Sequence, residues 1–285
     1  MSKICFLILA HKNHNQLLRL INHLKKDFDI YLHIDKISKL NLQSFDNVRV
    51  YKKHYVHYAE ITQVTTTLFL IREAVKNNYD RYCFISGQDL PLKNNNDIQK
   101  FFDTNVDKEY IGYSQINSVK DNKIFSMPHY NRVQYYNFEG ITRKILHSSI
   151  RNFISSLDIT KNKIKYDIYY GSQWWNLTHN AIEYILSYLN KDKQFINQFK
   201  NVWGCDEFFF QSILLNSRFK DNCINDNLRY IDWREQKGSS PKTFTMEDYN
   251  DIKNNIKDNL FARKFDENID NDIIDKLYKD LENSN

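Results

Sequence analysis

Apolar residues follow two rhythms in the first third of the chain. Continuous runs at residues 4–9, 30–34 and 82–85 have the length and composition of strands buried on both faces, as in a parallel sheet. Between them the period changes. Leu17, Leu20, Ile21 and Leu24 recur at helical spacing after Asn13, a candidate N-cap with Gln16 three positions on. Ile61, Val64, Leu68, Ile71 and Val75 mark a long amphipathic helix that leads into the third run, and Ile98, Phe101 and Phe102 predict another helix behind Pro91. This alternation predicts an α/β fold, with a mainly parallel, doubly wound sheet flanked by helices.

The middle is less regular. Residues 110–162 are rich in Tyr, Asn and Lys, with a strand expected near 110–113 and a helix around 141–157. Order returns with GSQWWNL at 171–177, a helix from His179 through Ile182, Ile185 and Leu189, and a helical stretch at 206–215. Ile269, Ile273, Leu277 and Leu281 recur every four residues, predicting a C-terminal helix whose acidic start suits the positive helix end. No repeat, linker or low-complexity segment divides the chain, so a single domain over 1–285 is expected.

Composition narrows the classes of function. With 285 residues, 41% hydrophobic and 15% aromatic, the chain can bury a real core as a soluble globular protein. Forty basic against thirty-five acidic residues leave only +5, scattered instead of gathered in a stripe, which argues against a nucleic-acid partner. Such a surface suits phosphorylated small molecules or an anionic membrane face. The first apolar run is too short for a signal peptide or a membrane span, so neither is expected. The cysteines, Cys5, Cys83, Cys205 and Cys223, form no close pairs, as expected in a reducing cytoplasm and unlike a cysteine-ligated zinc site.

The segment YCFISGQDLPLK at 82–93 is where chemistry first becomes visible. Its apolar run stops in a polar turn, placing Ser86, Gly87, Gln88 and Asp89 at the carboxyl edge of a sheet, where open α/β folds bind ligands. The usual nucleotide loops are absent. Six glycines provide neither GxGxxG nor GxxxxGK[ST], which removes the main support for dinucleotide oxidoreductases and P-loop phosphotransferases. Asp35, closing the HID of the second strand, is either a ribose ligand or a solvated strand-end acid. A metal-dependent sugar transferase needs an acidic pair at a strand's carboxyl end. The DFD at 27–29 precedes a strand, the DND at 270–272 opens the last helix, and Asp89 stands beside a neutral Gln88.

Asp206 and Glu207 lie between Gly204-Cys205 and the apolar FFF at 208–210. One reading is a desolvated general base; the other is an N-cap at Asp206 with Glu207 as a first-turn dipole partner. Trp174, Trp175 and Trp233 suit either sugar stacking or a core. Arg263 and Lys264, in LFARKFD, suit either a phosphate or a plain surface patch.

Seven segments in order resemble one family: ILAHKNHNQLLRLI at 8–21, LHIDK at 32–36, FISGQDLPLK at 84–93, GSQWWNLT at 171–178, DEFFFQSILLNS at 206–217, LRYIDW at 228–233 and LFARKFD at 260–266. They are similar to the branching β-1,6-N-acetylglucosaminyltransferases of core-2 and I-antigen synthesis, with the peptide xylosyltransferases and bacterial relatives. The resemblance implies a GT-A-like glycosyltransferase fold and inverting transfer from a UDP-sugar without a cofactor or divalent metal. It implies Glu207 as catalytic base, with Asp206 fixing the local backbone or touching the donor sugar. Lys264 matches the diphosphate-binding lysine, Arg263 stands beside it, and Lys242 in SPKTFT is the nearest match to its basic partner. His11 and Asp35 would lie near the uridine, and the turn from Ser86 through Gln88 to Asp89 near the donor ribose or sugar. Tyr130, Arg132, Trp174, Trp175 and Trp233 are the acceptor-binding candidates.

The animal enzymes are longer, membrane-anchored and disulfide-rich, features not expected here. N-acetylglucosamine is the first donor expectation, with xylose, glucose and glucuronate as alternatives. The expected acceptor is an oligosaccharide or lipid-linked glycan of bacterial surface polysaccharide or lipooligosaccharide, met in the cytoplasm or through peripheral contact at the inner membrane face. A noncatalytic nucleotide- or carbohydrate-binding protein is the competing class.

Overall fold

The computed structural model describes residues 1–135, 137, 147–150, 153, 164–234 and 240–283. The fold is mixed α/β and GT-A-like, and the chain divides into two compact units. The first comprises residues 1–53, 76–107 and 226–285; the second comprises 54–75 and 108–225.

Four parallel strands form the centre of the first unit, in the order Arg81–Ser86, Ile4–Ala10, Asp29–Ile34, Val48–Tyr51. The apolar runs predict the first three of these because every side chain of Arg81–Ser86 and nearly every one of Ile4–Ala10 and Asp29–Ile34 is buried, leaving no polar face, whereas Val48–Tyr51 buries only Val48 and is not anticipated. Helix His14–Leu24 buries Leu17, Leu20, Ile21 and Leu24, the stripe read from the sequence. Its Asn13 occupies the N-cap position in a left-handed conformation, but its side chain makes no capping bond and instead donates to Gln16 Oε1 at 3.1 Å. Helix Asn95–Thr104 is capped by Asn94, whose side chain accepts from Asp97 N–H at 2.9 Å.

A smaller sheet in the same unit joins Arg229–Ile231 in parallel to Phe261–Arg263, which pairs antiparallel with Asp89–Pro91. Helix Asp272–Asn283 packs Ile273, Ile274, Leu277 and Leu281 into a cluster with Leu90, Leu92, Phe244 and Phe265. Ile269 stands outside that helix and is exposed, so the four-residue rhythm begins one step later than the sequence predicts.

In the second unit, strand Glu109–Ile111 pairs antiparallel with Trp175–Thr178 and parallel with Cys223–Ile224. The Glu109 carboxylate accepts from the N–H of Thr178 at 2.8 Å and from its hydroxyl at 2.5 Å. Helix His179–Lys191 starts there, with Thr178 as its cap, and buries Ile182, Ile185 and Leu189 as predicted. Helix Phe209–Leu215 is buried at all seven positions. Helix Met127–Gln134, with Pro128 in its first turn, is not anticipated by periodicity because only Val133 is buried. The helix predicted around 141–157 lies largely outside the described residues. All four cysteines are buried. Among the described residues no helix is long and apolar enough to cross a membrane.

Candidate functional site

Strand order creates a switch point in the first unit. From Ile4–Ala10 the sheet extends to Asp29–Ile34 on one side and to Arg81–Ser86 on the other. The crevice at the carboxyl ends of such diverging strands is where open α/β sheets receive ligands. His11 follows one strand and Gly87 the other. The Gly87 N–H donates to Leu9 O at 2.9 Å, and a Cβ on Gly87 would stand only 3.0 Å from the Ala10 Cβ. Glycine therefore lets the two strand ends close up.

Most of the donor-side residues named from the sequence gather at this edge. Asp35 N–H donates to Ala10 O at 2.9 Å, and Ser38 Oγ donates to His11 O at 2.7 Å, holding the His11 and Asp35 loops side by side. Partial burial, then the neighbouring Lys12 ammonium, holds the His11 imidazole below its ordinary value. Ser86 Oγ accepts from Gln88 N–H at 3.0 Å, while Gln88 O accepts from Phe265 N–H at 3.0 Å. The turn after the fourth strand is thus tied directly to LFARKFD.

Asp89 is fully buried and fully engaged. Its Oδ1 accepts from Arg263 Nη1 at 2.8 Å and its Oδ2 from Arg229 Nε at 3.2 Å, while Arg229 Nη2 donates to Phe84 O at 2.6 Å. The acid expected to face the donor is an internal countercharge joining both sheets of this unit. Arg229 lies in the LRYIDW segment, but no periodicity marks it as Asp89's partner.

Beside this network lies a group of cations. Lys12 Nζ meets Asp266 Oδ2 at 2.6 Å, and burial, then Arg263 and Lys12, holds the half-buried Lys264 ammonium below its ordinary range. Phe244 N–H donates to Lys264 O at 2.9 Å, so the SPKTFT loop runs alongside. Its Lys242 ammonium, however, meets Asp248 Oδ1 at 2.9 Å. Sequence reasoning misses Lys12, although its place just beyond the first strand's carboxyl end is a signal for it. Among the described residues, no three His, Cys, Asp or Glu side chains come together in an arrangement fit for a metal ion.

The DE motif lies in the second unit. Gly204, at φ 73°, opens the short turn Cys205–Glu207 that precedes helix Phe209–Leu215. The N-cap reading of Asp206 is corrected here: Gly204 holds that position, and Asp206 sits inside the turn. Asp206 Oδ1 is buried with no partner among the described residues. Burial, with Glu207 beside it, raises the Asp206 carboxyl from its ordinary 3.8 to about 7.

Glu207 is about one-third exposed and meets Arg132, Oε2 to Nη2 at 2.9 Å. Burial raises its carboxyl above the ordinary range while Arg132 pulls it back. The arginine is itself held. Its Nε donates to Trp203 O at 2.8 Å, and its guanidinium lies 5.0 Å from the Phe208 ring centre. His129, one turn earlier, stacks on Tyr170 with ring centres 3.9 Å apart. A Cβ on Gly204 would fall 1.7 Å from Arg132 Nη2, so this glycine is required by space as well as by its φ. The result is a carboxylate made more basic by desolvation while one fixed cation favours its charged form, as a proton acceptor requires.

The sequence assigns Arg132 to an acceptor, and the structure gives it the carboxylate of Glu207. Tyr130 is half-buried on the same helix, two residues away and so on a different face. Trp175 is wholly buried against Phe210, with ring centres 5.4 Å apart, and Trp174 is 7% exposed. Both are core residues, which corrects the stacking expectation for them. Trp233, in the first unit, is 49% exposed and keeps a face open to solvent.

Comparison with known proteins adds an independent line. The family model described as "Core-2/I-Branching enzyme" matches residues 4–257. Xylosyltransferase 1 of Mus musculus is 23% identical over 307 residues, covering 96% of this chain and 30% of that protein. Xylosyltransferase 2 of Pan troglodytes is 22% identical over 307 residues, covering 96% and 33%. The chain therefore spans about a third of the length of these curated relatives. A solved structure from Bacillus anthracis, described as that of a glucose-1-phosphate thymidylyltransferase candidate, overlaps 64% of this chain and 74% of its own. Its TM-score of 0.32 at 14% identity is too low to carry an argument.

Proposed function

We propose that this chain, which belongs to the Core-2/I-branching enzyme family of glycosyltransferases, transfers a sugar from a UDP-sugar to a glycan hydroxyl with inversion and without a divalent metal. The observation that carries this reading is Glu207, a carboxylate made more basic by burial and paired with Arg132 at 2.9 Å. In the reaction, Glu207 takes the proton of the acceptor hydroxyl as the acceptor oxygen bonds to the anomeric carbon. The bond from that carbon to the diphosphate oxygen breaks, and UDP leaves with the electron pair. A single displacement turns an α-linked donor into a β-linked product.

Fixed cations support the metal-independent part of the proposal. Lys12, Arg263 and Lys264 crowd one edge of the first unit, and the lowered range of Lys264 reflects burial first and then repulsion from Arg263 and Lys12, which an incoming diphosphate would relieve. His11 and Asp35 would hold the uridine end. Trp233 offers the exposed aromatic face for an acceptor sugar. N-acetylglucosamine is the first donor choice, and UDP-xylose stands beside it because the matched curated relatives are named xylosyltransferases. The acceptor proposed is an oligosaccharide or lipid-linked glycan of a bacterial surface polysaccharide, reached at the cytoplasmic membrane face.

The test is UDP release from a panel of UDP-sugars in excess EDTA, with Glu207→Gln as the control. Turnover should persist in EDTA and fall by about a hundredfold or more in the variant while its fold is kept. Loss of turnover in EDTA would overturn metal independence, and full activity in Glu207→Gln would remove the base assignment.

A further inference from the structure

Lys12 and Lys264, the two lysines proposed for the diphosphate, each stand just past the end of a strand. Lys12 follows Ile4–Ala10 and Lys264 follows Phe261–Arg263, and these strands belong to different sheets, so no ladder bond joins them. One side chain bridges the two segments directly. Gln16, in the first turn of helix His14–Leu24, is only 2% exposed.

All four hydrogen-bonding positions of its carboxamide are used. Oε1 accepts from Asn13 Nδ2 at 3.1 Å and from Glu267 N–H at 3.0 Å. Nε2 donates to Gly87 O at 3.3 Å and to Phe265 O at 3.2 Å. This one residue therefore touches the loop that carries Lys12, the turn after strand Arg81–Ser86 and the segment that follows Lys264.

The same segments are closed from the other side. Gln16 N–H, one of the donors that a helix start leaves without an internal partner, meets Glu267 Oε2 at 2.6 Å. Gln16 and Glu267 thus bracket each other. Asn268 continues the circuit, donating from Nδ2 to Asn13 Oδ1 at 3.1 Å and to Asp266 Oδ1 at 3.2 Å, while Lys12 Nζ meets Asp266 Oδ2 at 2.6 Å. Gln88 Nε2 gives Phe265 O a second donor at 3.2 Å.

Space filling alone does not call for a glutamine here. Leucine or methionine would fill the volume without burying a carboxamide, which is tolerated inside a protein only when its bonds are made. A fully satisfied polar network instead fixes one arrangement of the segments it joins. That matters for charge, because a cation stabilises a departing diphosphate most when it is already in place.

We infer that Gln16 is a positioning residue for the donor: it sets the spacing of the Lys12 and Lys264 segments and so the fit of a nucleoside diphosphate between them. The role rests on the transfer reading proposed above. Gln16 itself touches no substrate atom and acts through the two lysines.

Calorimetric titration of the full chain with UDP and with uridine tests this. The parent should bind both. Gln16→Met, similar in length but without the carboxamide, should weaken UDP about tenfold and uridine less than about twofold, because uridine carries no phosphate for the cations. Asn13→Gly removes two of the linking bonds while glycine accepts the left-handed backbone at that position. It should weaken UDP about threefold with uridine again unchanged, and it gives the reading where Gln16→Met fails to fold. A purely structural glutamine would lower the melting temperature and leave the ratio of UDP to uridine affinity as in the parent. The inference is overturned if that ratio is unchanged in Gln16→Met or, where that variant does not fold, in Asn13→Gly. A parent that does not bind UDP overturns the transfer reading and this role with it, whereas a parent that binds UDP beside variants that keep its ratio overturns the role of Gln16 alone.

Discussion

Arg132 and Glu207, 75 residues apart in the chain, meet at 2.9 Å, and the rest of the arginine is anchored to the Trp203 carbonyl. The pair sets two opposing forces on one carboxylate, since burial raises Glu207 and the guanidinium lowers it. Removing the guanidinium should leave burial unopposed. In Arg132→Met the rising limb of the pH profile for kcat/KM should therefore move to higher pH. Activity should fall much more at pH 6 than at pH 9, and Arg132→Lys should restore part of the shift. UDP release measured across that range decides it, because an equal loss at every pH would mean a packing role only.

Asp206 makes a prediction of opposite character. Its carboxyl is raised to about 7 by burial and by Glu207, so between pH 4 and 7 the folded protein keeps a proton that the unfolded chain has released. Stability is then lost as pH rises through that window, and the cost is complete above it. Asp206→Asn removes the titration. Its stability should equal the parent's near pH 4 and exceed it by about 1–3 kcal/mol at pH 8, in denaturant melts at both pH values. A variant less stable at pH 8 would mean that the ionised form is satisfied in a way the buried, unpartnered Oδ1 does not indicate.

The frame is legible in the sequence because a strand buried on both faces leaves an unbroken apolar run and a one-sided helix leaves a stripe. Ile4–Ala10, Arg81–Ser86 and helix His179–Lys191 follow those rules residue by residue. Helix Met127–Gln134 does not, since it buries only Val133. The Arg132–Glu207 contact escapes with it. Side-chain partnership carries no period either: Asp89 and Arg229 are 140 residues apart, and nothing local tells an acid that faces a ligand from one that faces an arginine. Tryptophan is equally silent, as Trp175 and Trp233 read alike in sequence but are 0% and 49% exposed.

The Asp89 network is expected to be structural. Arg229 and Asp89 both have fully buried side chains, so removing one charge strands the other where water cannot reach it. Arg229→Met should cost about 3–5 kcal/mol, read as a lower midpoint in urea. Asp89→Asn should be destabilising too, by leaving Arg229 and Arg263 facing a neutral group. If Asp89→Asn keeps the parent's stability and instead loses only UDP binding, the acid belongs to the ligand and not to the frame.

Lys264 and Lys242 separate two kinds of lysine. Lys242 is committed to Asp248 at 2.9 Å, whereas Lys264 is pushed below its ordinary range by burial and by the cations Arg263 and Lys12. A diphosphate would relieve that repulsion, while it would have to compete with Asp248 for Lys242. Lys264→Ala should keep or slightly raise the melting temperature of the ligand-free protein, abolish most of the stabilisation by UDP, and lower turnover by about a hundredfold. Lys242→Ala should lower UDP stabilisation by no more than a few fold in affinity, because Asp248 keeps its bond from Thr245 N–H at 3.0 Å and the loop survives. Thermal melts with and without UDP on both variants give the answer, and the reverse ranking would move the diphosphate assignment from Lys264 to Lys242.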